Sequence, residues 1–210
     1  MYLIVRNETD SERIDWSEAL LGQFPSAKTW DPSTGRPSLD GIEGVVLSGS
    51  SASVDETEAY PWIEAVLDIV PTLVERSIPT LGVGFGHQAI HAALGGTVEP
   101  SRPIHRLVEA SLSDDPLFDG VEPVFPTVDT DTVTDLGDGM KPIATTAYRP
   151  AFGTRHETAP VWTLESHPEL SPHHLRALRA EAGWTATSRG FEEVSTERLF
   201  ENFRRLSRSA

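Results

Sequence analysis

Four consecutive apolar residues, Tyr2-Leu3-Ile4-Val5, give way to the polar Asn7 and Asp10 and predict a first strand buried on both faces. Residues 11–24 predict a helix, with Ile14, Leu20, Leu21 and Phe24 on its buried side. Residues 31–40 are rich in Pro, Gly and Ser and predict a loop. Gly44-Val45-Val46-Leu47 predicts a second buried strand ending in the small polar turn 48–53. Residues 62–76 carry apolar side chains at 62, 63, 66, 67, 69, 70, 73 and 74, which is helical spacing, with Pro71 set to bend or split the helix. A third strand follows at 79–83, then a helix at 85–94 stopped by Gly95-Gly96. Strand and helix alternating in this way predict a parallel sheet covered on both faces. The stretch 97–148 is richer in β-branched residues and turns, and predicts mixed or antiparallel strands at 108–112, 121–128 and 143–146. A late strand at 161–164 and closing helices at 172–182 and 196–206 complete the chain, without repeats or low-complexity tracts.

Composition narrows this picture. Length and a 38% apolar content suit one sizeable core. No apolar run approaches the ~18 residues of a membrane span, and no signal-like segment precedes the first strand, so the cytoplasm is the expected location. Net charge is −15, which disfavours nucleic acid and anionic lipid as partners. Lys28 and Lys141 are the only lysines among 17 Lys and Arg. Acidity with lysine depleted fits a halophile's cytoplasm; an ordinary acidic protein is the alternative. Cysteine is absent, which excludes disulfides, thiolate metal sites and thiol chemistry. No cofactor or metal site is expected, and His173-His174 lacks ligand spacing.

Gly82-Val83-Gly84-Phe85-Gly86 lies where a strand passes into a helix. A nucleophile elbow, G-x-(nucleophile)-x-G, uses such a turn to expose its central side chain, and aims the next backbone N–H at a developing oxyanion. Gly84 offers no nucleophile. Plain punctuation of a turn remains an alternative; a dinucleotide loop does not, because His87 replaces its third glycine.

The segment Leu81-Gly82-Val83-Gly84-Phe85-Gly86-His87-Gln88, with Gly95-Gly96 beyond it, resembles the nucleophile segment of class I glutamine amidotransferases. Gly44-Val45-Val46-Leu47-Ser48-Gly49 resembles the strand leading to that family's oxyanion loop, and Ser166-His167-Pro168-Glu169 resembles its closing H-P-E. The resemblance covers roughly residues 1–171 and is nearest to GMP-synthase-like members. It implies a flavodoxin-like α/β fold: one three-layer domain over 1–210, a central mostly parallel sheet flanked by helices, and closing helices over 172–210. It further implies His167 as the base, Glu169 as the carboxylate orienting it, and Gly84 at the position of the family's cysteine. Gly49, Ser50 and Phe85 become oxyanion groups, and Gln88 and Asp131 substrate contacts.

Departures gather at this site. Ser50 and Ser51 stand where the family prefers Gly-Pro, Val128-Asp129-Thr130 where it has Ser-His-x, and Glu165-Ser166 where it has Gln-Phe. Three readings follow. One is a non-catalytic homologue that binds glutamine, a γ-glutamyl small molecule or a protein. Another is an active amidotransferase or hydrolase using water, or Ser48, Ser50 or Ser166, with His167 and Glu169. The last is a subunit of a separate synthetase. His105 and His156 are expected in loops, His87 under the elbow, the five tryptophans in packing roles, and Arg198, Arg204, Arg205 and Arg208 on a solvated helix face.

Overall fold

The computed structural model describes residues 1–8 and 16–209. In chain order its elements are β1 (Tyr2–Val5), α1 (Trp16–Leu21), β2 (Lys28–Trp30), β3 (Gly44–Leu47), α2 (Trp62–Glu75), β4 (Thr80–Val83) and α3 (Phe85–Ala93). There follow β5 (Thr97–Glu109), β6 (Ser111–Leu112), β7 (Val124–Asp135), β8 (Met140–Thr145), β9 (Gly153–His156), β10 (Val161–Leu164), α4 (Leu175–Glu181) and α5 (Thr196–Ser207). Eight strands form one sheet in the order β2-β1-β3-β4-β10-β9-β8-β6, parallel from β2 through β10 and antiparallel beyond. β5 and β7 pair as a separate antiparallel ribbon.

The four apolar strands are buried along their whole length because both faces of the sheet are covered. Leu3, Val5, Val45 and Leu47 pack with α2 and α3 on one side. Tyr2, Ile4, Val46, Leu81 and Val83 pack on the other with Leu20 and Phe24 and with Leu199, Phe200 and Phe203 of α5. This is a single three-layer α/β domain.

Several elements differ from the sequence reading. Ile14 lies outside the described residues. Pro71 neither splits nor ends α2, which forgoes only the hydrogen bond that proline cannot donate. β5 and β7 extend well beyond the predicted strands, and a register shift between Pro100 and Ile104 lets β5 absorb its prolines. His105 therefore belongs to β5 and His156 to the end of β9, rather than to loops. No described helix is long and apolar enough to cross a membrane.

Candidate functional site

Three neighbouring strands, β3, β4 and β10, deliver their C-terminal ends to one place, where open parallel sheets bind ligands. β4 leads into Gly84, whose φ of +53° turns the chain straight into α3. Its N–H donates to the Leu164 carbonyl at 2.9 Å, tying the bend to β10. Beyond β10, His167 is anchored by its N–H to the Pro126 carbonyl at 2.7 Å.

The imidazole of His167 is 2% exposed and sits in a slot between backbones. A Cβ built on Gly84 would run into its Cε1 and Nε2, and one built on Gly49 would run into its Cε1. Trp16 covers the ring, with centroids 4.3 Å apart and planes 30° from parallel. Nδ1 lies 2.9 Å from Glu169 Oε1, and that carboxylate is buried too. Gly84, Gly49, His167 and Glu169 are thus brought together.

Ser50, Phe85, Gln88 and Asp131 line a cavity of about 420 Å³ in front of this cluster, together with Trp16 and His167. Gln88 Nε2 donates to Asp129 Oδ1 at 2.9 Å, and Asp131 accepts from the Ser53 hydroxyl at 2.5 Å. Asp129 also lines the cavity, so the pocket wall is acidic.

Behind Gln88 lies a buried charge cluster. Arg149 Nη2 donates to Asp129 Oδ2 at 3.3 Å and to Ser101 Oγ at 2.6 Å. Its Nε is 3.0 Å from Glu165 Oε1, close enough for charge attraction but too poorly aligned for a hydrogen bond. Two carboxyls share one cation. Burial, then the charge of Asp129, pushes the Glu165 carboxyl well above its ordinary range, and burial raises Asp129 as well. Glu165 is accordingly the member that keeps a proton, leaving the cluster close to neutral.

Beneath the elbow runs a second buried chain, His87–Thr163–Thr154–His91, with contacts of 2.7, 2.5 and 2.9 Å. His91 Nδ1 accepts from the Gly137 N–H at 3.0 Å, so its Nε2 carries hydrogen and donates to Thr154. The threonine hydroxyls pass the same direction on to His87 Nδ1. Burial holds both histidines neutral, lowering His91 to about 4 and His87 well below its ordinary value.

These groups give opposite pH slopes. Each histidine adds stability above pH 6.5, its unfolded value, and loses it as pH falls toward its folded value, about 4 for His91. Glu165 is the reverse: its raised folded value subtracts stability as pH climbs above 4.5. Glu165→Gln, which keeps a neutral donor toward Asp129, should therefore unfold like the parent near pH 4. By pH 8 it should be more stable by about 1–2 kcal/mol. Urea titrations across that range measure this; a variant less stable at pH 8 contradicts the shared proton.

The family model for glutamine amidotransferase class I matches residues 4–180. The chain belongs to the class I glutamine amidotransferase family. Among curated relatives, the GMP synthase [glutamine-hydrolyzing] of Rhodopseudomonas palustris is 30% identical over 176 residues, covering 75% of this chain and 31% of the relative. The same-named protein of Thermosipho africanus is 29% identical over 154 residues, covering 71% and 28%. The chain thus spans under a third of the relatives it matches. A glutamine amidotransferase structure from Thermotoga maritima superposes with a TM-score of 0.72 at 19% identity, covering 99% of this chain and 94% of that one. One from Methylobacillus flagellatus gives 0.69 at 15%, covering 98% and 90%. At such identities these amidotransferase structures share the fold.

Sequence reasoning missed two residues of this site. Trp16, read as packing, is the lid on His167. Arg149 was not singled out, although Glu165 beside His167 signals that a buried cation must lie close by.

Proposed function

We propose that this chain is a non-hydrolysing glutamine amidotransferase homologue that binds glutamine or a related γ-amide in the cavity beside Gly84. One observation carries the reading: the His167 ring fills the space in which a nucleophile's Cβ would stand. In this reading Gly84 replaces the family's cysteine, and no substitute is at hand. Ser48 Oγ is occupied by the Asn7 N–H and the Gly49 carbonyl, Ser50 Oγ accepts from Ala52, and Ser166 is wholly buried. Loss of a nucleophile costs roughly 10⁶-fold in turnover. The Phe85 N–H and the Gly49-Ser50 backbone remain available to a ligand's amide oxygen, and Gln88, Asp129 and Asp131 favour its ammonium group.

The His167–Glu169 pair, 2.9 Å apart, is the observation that favours the rival reading of a water-activating hydrolase. Against it, the imidazole is 2% exposed and wedged between the Gly84 and Gly49 backbones under Trp16, so that little of its edge reaches the cavity it lines. Calorimetry with glutamine and glutamate, paired with an ammonia assay, separates the two. Saturable glutamine binding with no ammonia above the blank is expected; steady release near one turnover per second overturns the proposal. A cytoplasmic, halophilic setting and a separate synthetase partner belong to the same reading, supported by the acidity and by the names of the relatives.

A further inference from the structure

A second cavity, about 600 Å³, opens beside the first between β5, the β8–β9 loop and the loop after α4. Arg102, Arg106, Arg149, His105 and Tyr148 line it, and no Asp or Glu does. In a chain of charge −15 that is a marked local reversal. Four other surface arginines are by contrast spent on carboxylates: Arg36 on Asp68, Arg76 on Asp40, Arg189 on Glu193 and Arg205 on Asp119. Arg102 and Arg106 are exposed, and neither has a carboxylate partner among the described residues.

We infer that this basin is a binding site for a small polyanion, a phosphate ester or a polycarboxylate. Guanidinium groups hold both oxyanions through paired N–H donors. Two guanidinium groups without carboxylate partners in one cavity favour a ligand of at least two charges, one for each arginine. The cavity has the volume of a small-molecule site. Tyr148, 72% exposed, supplies an apolar wall at its mouth. The basin also touches the γ-amide cavity. His105 lines both, and Arg149, whose guanidinium balances Asp129, is among the residues lining the basin. An anion bound here would draw Arg149 away from Asp129 and so alter the hold on Gln88.

The inference stands whether or not glutamine binds, since the two cavities have separate ligands. Calorimetry at about 0.1 M salt, where the Debye length is ~10 Å, should show saturable binding of inorganic pyrophosphate or citrate. The tighter of the two identifies the oxyanion type. The double variant Arg102→Ala/Arg106→Ala alters only exposed side chains and should weaken binding at least ~10-fold through lost charge-assisted hydrogen bonds. Arg36→Ala/Arg205→Ala removes the same charge elsewhere and should retain binding. Absence of saturable binding for both anions in the parent, or equal losses in the two double variants, overturns the site.

Discussion

Gly84→Cys will leave glutamine uncut and will lower stability by about 2–4 kcal/mol. The new Cβ falls on Cε1 and Nε2 of His167, so the imidazole must leave its slot. Leaving breaks the Nδ1 contact to Glu169 and the stacking under Trp16, and strands a buried carboxylate whose other oxygen has no partner already. A φ of +53° adds strain for any side chain. A thiol placed there thus gains neither a correctly seated base nor the surroundings the family resemblance assigns to it. Glu165, Val128 and Asp129 stand at altered positions and would still do so. Ammonia release and urea unfolding of the variant test both halves. A turnover at least hundredfold above the parent, with stability unchanged, would mean that the catalytic machinery survives intact around a single missing atom group.

The elbow was legible because a glycine-spaced strand-to-helix turn has few physical meanings, and because Gly49, Gly84 and His167 each follow a four-residue apolar strand. Strands buried on both faces announce themselves, and their C-terminal ends converge whenever they are neighbours in a parallel sheet. β9 and β2 were not legible for the converse reason. Gly153-Thr154-Arg155-His156 has no apolar run, and only its pairing with the flanking strands β8 and β10 makes it a strand. β2 is a three-residue edge with two exposed positions. Trp16 and Arg149 escaped for a related cause. Each approaches the site from an element with no motif of its own, and only the tertiary packing over His167 and beneath Gln88 gives them a role.

Gly86→Ala will be the more damaging glycine replacement, at about 3 kcal/mol or more. Gly86 is the second residue of α3, and a Cβ there would strike the Leu47 carbonyl oxygen and lie 2.7 Å from Leu47 Cβ and 2.9 Å from Leu47 C. Those are atoms of a strand hydrogen-bonded on both sides, to β1 and to β4, so β3 cannot retreat. The helix must lift instead, yet Gly82 and Gly86 already approach so closely that a Cβ on Gly82 would meet the Gly86 carbonyl carbon at 2.7 Å. Lifting α3 carries Phe85 and Gln88 out of the cavity wall and parts Gln88 from Asp129. The ~1 kcal/mol that alanine gains over glycine in a helix offsets only part of this. Gly22→Ala provides the contrast: its Cβ meets nothing nearer than the Ala19 carbonyl at 3.7 Å, and it should stay within about 1 kcal/mol of the parent. Guanidinium unfolding of the two variants measures the difference. If Gly86→Ala loses under ~1 kcal/mol, α3 is not seated against β3, and the bend at residue 84 loses the support that fixes its shape.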